Sequence, residues 1–187
     1  QRINCVGILR HRKEITKMLN QNLVSLLNKQ INMEWYSAYF YLDIYSYYTD
    51  RNLDGFGNWF YVQTQEERDH AMLFIKYLLN NSEKVVLQNV EAVDKQYEDF
   101  REPANAAFEH EKKVTASINN IYSVAYEQKD FRTMQFLDWF VKEQGEEEKN
   151  TEDIVKRYDL FGKDAKGLYL LDAELASRMY TPPTLVL

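Results

Sequence analysis

The chain has 187 residues, of which 45% are hydrophobic and 14% aromatic, so it is long enough to bury one sizeable core. The formal net charge of -6 disfavours a general nucleic-acid-binding protein. No apolar run approaches the roughly 18 residues of a membrane span. The single cysteine, Cys5, excludes an internal disulfide framework and predicts a reducing, cytoplasmic location. With 6 Gly and 3 Pro, the sequence favours long helices over a many-turned β fold.

The first half of the chain predicts two long helices joined by a turn. A regular amphipathic pattern begins only near Met18, so residues 1–17 are interpreted as a leader or an added extension. Apolar residues then recur every three or four positions over about 19–49, which predicts a first helix. The segment DRNLDG (50–55) has turn composition, and a second helix is predicted over about 56–80.

The second half predicts a long connection followed by three more helices. Residues 81 to about 101 carry no sustained helical period, and Pro103 suits the first turn of a third helix over about 103–128. A fourth helix is expected over about 131–161 and a short fifth over 168–178, which leaves 179–187 as a tail. This pattern predicts an all-α four-helix bundle over residues 18–178. The crossover between helices 2 and 3 is long enough to span the bundle, so those two helices would be parallel.

Polar residues interrupt the apolar stripe near the middle of each long helix. At 1.5 Å per residue these positions fall at compatible heights in one bundle, so their side chains can converge. Buried carboxylates without cations are very unfavourable, and a metal pair resolves that cost. Carboxylates with one imidazole and open coordination positions suit iron or manganese better than a closed zinc site. The interrupting residues are Glu34, Glu67, His70, Glu111, Glu143, Gln144 and Glu147.

The sequence resembles the bacterial non-haem ferritins over about residues 18–178. This resemblance implies a ferritin-like fold and storage of ferric mineral in a hollow homo-oligomeric shell of 24 subunits. It also implies ferroxidase activity, in which a di-iron centre oxidises Fe(II) with dioxygen and no haem takes part. The matching segments are NMEWYSAYFY (32–41), QEERDHAM (65–72), EHEKKVTASIN (109–119), FLDWFVKEQGEEEK (136–149) and GLYLLDAEL (167–175).

The resemblance also implies roles for individual residues. Glu34, Glu67 and His70 look like ligands of the first iron, and Glu67 would bridge to a second iron that Glu111 also binds. Gln144 matches the family's glutamine beside that centre, where it could hold bound oxygen or water. Tyr41 matches a tyrosine that could supply an electron during oxygen reduction. A third iron site is implied by a further set of glutamates: Glu66, Glu143, Glu146 and Glu147.

The fourth helix distinguishes this chain from related di-iron proteins. Bacterioferritins and rubrerythrin-like proteins repeat a Glu-x-x-His motif there, whereas residues 143–147 read EQGEE and contain no histidine. The centre is therefore expected to be asymmetric, as in the non-haem ferritins. His110, next to Glu111, is predicted to point about 100° away from the ligand face and to lie at the surface or an interface. Trp139 is predicted to be a packing residue.

Two other classes of function remain open at this point. A di-iron oxidase or peroxidase acting on a small molecule predicts an apolar substrate pocket beside the metals and no shell. A non-catalytic helical scaffold predicts that removing Glu67 and Glu111 leaves function intact. Any one of these glutamates alone could be an ordinary exposed helix residue, and Tyr41 could be ordinary core.

Overall fold

The structure is a computed structural model that describes residues 19–187 and is all-helical over that range. The predicted leader, residues 1–17, and its Cys5 lie outside the described residues. No helix within residues 19–187 is long and apolar enough to cross a membrane. The helices are α1 (Gln21–Thr49), α2 (Asp54–Asn80), α3 (Arg101–Glu127), α4 (Phe131–Phe161) and α5 (Ala165–Leu175).

The helices begin where the sequence supplies acceptors for their first backbone N–H groups. The side chain of Asn20 accepts from Asn22 N at the start of α1, and that of Asp130 accepts from Thr133 N at the start of α4. Asp164 accepts from two backbone N–H groups of α5, which therefore begins at Ala165 rather than at the predicted residue 168. It also ends at Leu175 rather than at the predicted residue 178, whereas the boundaries of the other four helices lie within two residues of the predicted ones.

The crossover of residues 81–100 runs the length of the bundle, as predicted. Near its start, Asn28 of α1 donates from Nδ2 to Lys84 O (3.2 Å) and accepts from Val86 N (2.7 Å). Near its end, Tyr48 Oη at the other end of α1 donates to Phe100 O (2.6 Å). The two ends of the crossover thus lie at opposite ends of α1. Helices α2 and α3 are therefore parallel. The prediction of an all-α four-helix bundle with this connection is confirmed.

A layer of polar residues divides the hydrophobic core into two clusters. One cluster surrounds Leu27, Ile31 and Phe74 near the start of α1, and the other surrounds Phe40 and Phe60 towards its end. Fully burying a leucine or phenylalanine contributes about 1.5–3 kcal/mol. Burial of these two clusters therefore offsets the free-energy cost of burying the polar layer.

The short helix α5 is fixed against the start of α2. Asp172 Oδ1 of α5 accepts from Phe56 N (2.9 Å), so it satisfies a backbone donor in the first turn of α2. Gly55 permits this contact, because a Cβ atom there would lie 1.7 Å from Asp172 O. The position of α5 thereby sets where the following residues leave the bundle.

Residues 176–187, here called the C-terminal strap, turn back along α2 and α4. Asn58 Nδ2 of α2 donates to Ala176 O (3.3 Å) and Arg178 O (3.0 Å). Further along, Trp139 Nε1 of α4 donates to Thr184 Oγ1 (3.1 Å). Nothing in the sequence predicted this packing, since the tail carries no helical or strand pattern.

Candidate metal centre

The predicted ligands of the polar layer come together inside the bundle. Glu34, Glu67, His70, Glu111 and Glu147 are each at most 3% exposed. One ligand atom from each of Glu34, Glu67 and His70 lies within 4.8 Å of the other two. The structure therefore brings together, from α1 and α2, the three residues that the sequence predicted for a first iron.

Glu34 is held through one of its two carboxylate oxygens. Gln30, one turn earlier on α1, donates from Nε2 to Glu34 Oε1 (2.8 Å), and Ser117 Oγ of α3 donates to Gln30 Oε1 (2.5 Å). Within residues 19–187, Glu34 Oε2 is one of two buried side-chain atoms that no hydrogen-bond partner reaches. A buried carboxylate oxygen is costly to leave unsatisfied, so either a proton shared with Glu67 or a cation must complete this site.

Glu67 is held in the same manner and contacts His70. Gln63, one turn earlier on α2, donates from Nε2 to Glu67 Oε1 (3.0 Å) and to Glu147 Oε2 of α4 (2.7 Å). His70 Nδ1 lies 3.4 Å from Glu67 Oε2. The amide group of Gln63 therefore binds two predicted ligands that belong to different helices.

Glu111 contacts both of the residues predicted to lie beside the di-iron centre. Tyr41 Oη donates to Glu111 Oε1, and Gln144 Nε2 donates to Glu111 Oε2 (3.0 Å). The Tyr41 ring also stacks on Phe60 at a centroid distance of 5.9 Å. The structure thus places Tyr41 and Gln144 against a predicted ligand, while their roles in oxygen chemistry stay predictions.

The electrostatics of the layer show how strongly it disfavours uncompensated negative charge. Burial, together with the charge of Glu67, raises the pKa of Glu34 to about 8 and the pKa of Glu111 to about 8. Burial and the charge of Glu111 raise the pKa of Glu147 well above its ordinary value. Burial alone would lower the pKa of His70, but the charge of Glu67 and its hydrogen bond raise it to about 10. Metal-free protein therefore retains protons on these groups at neutral pH.

The residues predicted for a third iron are only partly brought together. His70, Glu143 and Glu147 form a second group whose ligand atoms lie within 4.8 Å of one another. Glu66 forms an ion pair with Arg178 Nη2 of the strap at 2.6 Å. The fourth predicted residue, Glu146, is an exposed side chain paired with Lys142 at 3.4 Å. A cavity of about 260 Å³ joins these groups beneath the strap and is lined by Glu66, His70, Trp139, Lys142, Glu143, Glu146 and Thr181–Thr184.

His110 was predicted to lie at the surface or an interface, and the structure shows that this is wrong. The side chain is 7% exposed, and its Nε2 lies 2.7 Å from Ser37 Oγ of α1. The rotation of about 100° from Glu111 turns the ring towards α1 and Phe40 rather than towards solvent. Burial lowers the pKa of His110 to about 4, so the imidazole is neutral. Trp139 packs on the edge of the layer, with its ring 5.6 Å from that of His70.

Gln30 and Gln63 hold predicted ligands but were given no role from the sequence. Each stands four residues before a predicted glutamate ligand, a spacing that puts the two side chains on one face of a helix. That repeated Gln-x-x-x-Glu spacing was a signal that could have identified both glutamines. The contacts of Arg178 had no such signal, because they depend on how α5 and the strap fold back.

Comparison with known proteins gives the family. The family model described as "Ferritin-like domain" matches residues 24–161, and the chain belongs to this family. A bacterial non-heme ferritin of Campylobacter jejuni is 38% identical over 155 residues, which cover 83% of this chain and 93% of that protein. A probable bacterial non-heme ferritin-like protein of Haemophilus influenzae is 34% identical over 86% of this chain and 97% of its own. The resemblance to bacterial non-haem ferritins is thereby confirmed.

Solved structures agree with the fold. An open-pore ferritin from the archaeon Archaeoglobus fulgidus superposes with a TM-score of 0.85 at 39% identity, covering 87% of this chain and 99% of that chain. The agreement extends over nearly the whole of that ferritin subunit. The ferritin-like bundle predicted from the sequence is therefore the observed fold.

Proposed function

We propose that this protein stores iron and oxidises Fe(II) with dioxygen at a di-iron centre inside each subunit. The observation that carries the proposal is the group of Glu34, Glu67 and His70, in which Glu34 Oε2 is buried and is reached by no hydrogen-bond partner from residues 19–187. A cation bound among these three side chains would satisfy that oxygen and neutralise the layer. The donor set, carboxylates with one imidazole, suits ferrous iron.

The proposed roles follow the contacts of each residue. Glu34, Glu67 and His70 would hold a first Fe(II), and Glu67 would bridge to a second Fe(II) that Glu111 also binds. The two ferrous ions would give two electrons to one dioxygen molecule, which takes up two protons and leaves as hydrogen peroxide, while both ions become ferric. Carboxylate ligands favour this step because their charge stabilises the ferric state. Gln144 and Tyr41 both contact Glu111. Gln144 would hold oxygen or water there, and Tyr41 would supply an electron during oxygen reduction.

Iron would next move to the group of glutamates beneath the strap. Glu143 and Glu147 converge with His70, and the cavity there is lined by carboxylates and by Lys142. The lining includes Glu66, Glu143 and Glu146, which suit a cation in transit, as well as the apolar side chains of Trp139, Pro182 and Pro183. Because of its charged side chains it differs from the apolar pocket that the small-molecule oxidase requires. We propose Glu66, Glu143, Glu146 and Glu147 as the third iron site, with Arg178 leaving Glu66 when iron binds.

Storage requires an enclosed volume that one bundle does not provide. We propose that 24 copies of the domain assemble into a hollow cytoplasmic shell in which ferric mineral accumulates. The support is the family membership together with α5, which is docked on α2 and extends the bundle at one end. Residues 18–178 would form the assembling domain.

The test is aerobic oxidation of Fe(II) by purified protein, followed by size-exclusion chromatography with iron detection. Glu67→Gln removes the charge of the proposed bridging ligand at nearly constant volume. Glu109→Gln is the matched control, because Glu109 lies on α3 two residues from Glu111 but is exposed and pairs with Lys112. We expect fast oxidation in wild type and Glu109→Gln, its loss in Glu67→Gln, and hundreds of irons eluting with a large shell.

Two outcomes would contradict the proposal. Oxidation equally fast in Glu67→Gln would show that the buried layer is not the oxidation site. About two irons per chain in a small species would replace storage by the di-iron oxidase.

A further inference from the structure

Arg178 contacts the polar layer from a segment that the sequence left unassigned. It is the third residue of the strap, and its guanidinium lies over the ring of Trp59 at 4.0 Å from the centroid. Nη1 donates to Trp59 O (3.1 Å) and to Gln63 Oε1 (2.9 Å), while Nη2 donates to Glu66 Oε2 (2.6 Å). The planar guanidinium is thus fixed on its face and along two of its edges.

Gln63 connects this guanidinium to the metal centre. Its carbonyl oxygen faces Arg178, and its amide nitrogen donates to Glu67 and Glu147. The opposite orientation would place the carbonyl oxygen against two carboxylates and the NH₂ group against a guanidinium. Arg178 and the two glutamates therefore favour the same orientation of the Gln63 amide, and Arg178 holds its carbonyl end.

We infer that Arg178 and Gln63 are positioning residues for the metal centre, with Arg178 acting through Gln63 on Glu67 and Glu147. This inference rests on the proposed function, because it takes Glu67 and Glu147 to be metal ligands. Partners that orient metal ligands are commonly needed for full affinity, and their loss costs about 10–100-fold. The C-terminal strap thereby becomes part of the site, although none of its residues would bind the ion.

The test is anaerobic binding of Co(II), followed by calorimetry and by the visible d–d absorption, which reports the geometry of the ligands. Arg178→Lys keeps the positive charge but loses the planar guanidinium, so the Gln63 amide is no longer oriented while the net charge stays constant. We expect about tenfold weaker Co(II) binding, the low end of the range for such partners, and a changed d–d spectrum at saturation.

Arg157→Lys is the matched control. Arg157 lies near Arg178 and also pairs with a carboxylate, that of Glu174 in α5, but this pair is exposed. Arg157 stands ten residues after Glu147 on α4, which is about 15 Å along the helix. We expect wild-type affinity and spectrum in this variant. A purely structural role for Arg178 would lower the melting temperature but leave the affinity and the spectrum of the saturated protein unchanged, and that result would overturn the inference.

A double-mutant cycle tests the route through Gln63. Gln63→Met removes the amide at similar volume and should itself weaken Co(II) binding and alter the spectrum. In that background Arg178→Lys should have no further effect on affinity, and independent, additive effects would overturn the inference. If wild type bound no Co(II) at all, the proposed function would fail. If wild type bound it and Arg178→Lys bound it equally well, only the positioning role would fail.

Discussion

Binding of a divalent ion to the metal-free protein should release protons, in a number that falls as the pH rises. The pKa of Glu34 and that of Glu111 are raised to about 8 by burial and by Glu67. The pKa of His70 is raised to about 10, since the charge of Glu67 outweighs burial. A residue must be deprotonated to bind a metal ion, so each group that holds a proton gives it up on binding.

The size of the effect follows from those pKa values. At pH 6.0 all three groups are almost fully protonated, which predicts release of at least about three protons per occupied centre. At pH 8.5, above the pKa of about 8, the Glu34 and Glu111 carboxyls have lost much of their protonation, whereas most His70 side chains keep their proton. The expected release then falls to between about one and two protons per centre.

Calorimetric titration with Co(II) in two buffers of different ionisation enthalpy gives the number of protons at each pH. Glu109→Gln is the control, because its exposed side chain lies next to the layer without entering it, and it should release as many protons as wild type. Release of fewer than one proton at pH 6.0 would refute the reasoning. So would equal release at both pH values, because it would mean that Glu34 and Glu111 are already ionised at pH 6.0.

Four further predictions concern stability. Because the pKa values of Glu34 and Glu111 rise from 4.5 to about 8 on folding, metal-free protein should lose stability as the pH rises between these values. The loss is at most about 1.4 kcal/mol per pH unit per group, and a melting temperature that rises from pH 5 to pH 8 would contradict it. Gly145→Ala should add about 1 kcal/mol, since a Cβ there meets nothing within 4 Å among residues 19–187, and urea denaturation with an unchanged slope checks this. Gly55→Ala should cost about 1–3 kcal/mol by pushing α5 off α2, and Asp172→Ala about 1 kcal/mol by removing the acceptor for Phe56 N, both measured in the same assay.

The heights of the polar residues could be predicted because the rise of an α-helix is fixed. Glu34, Glu67 and Glu111 each stand near the middle of a long apolar stripe, and a four-helix bundle brings such positions to one level. The crossover was predictable for the same reason, since its length fits the bundle. Periodicity could not predict whether a side chain at the border of the stripe would point to solvent or to a neighbouring helix. His110 was therefore misplaced, because its surroundings depend on how closely α1 packs on α3.

The C-terminal strap shows a second limit of the sequence. Its course depends on Gly55, which lets α5 approach α2, and on Asp172, which fixes that approach. Neither residue carries a local signal for the contact, because the partners are more than a hundred positions apart. Arg178 reaches Gln63 only because those contacts exist, so its place beside the centre could not be predicted from the residues around it.

The hydrogen bonds of the layer explain how it can be preformed and still attract cations. Neutral amides hold the carboxylates: Gln30 donates to Glu34, Gln63 to Glu67 and Glu147, and Gln144 to Glu111. An amide fixes the position of a carboxylate oxygen without supplying a positive charge, so a metal ion can take the place of the protons that the metal-free layer retains. A lysine or arginine in the same place would fix it equally well and would repel an incoming metal ion. Arg178 contacts Gln63 and Glu66 rather than the predicted ligands Glu67 and Glu147. It can therefore orient the Gln63 amide without directly neutralising the charge of Glu67 or Glu147.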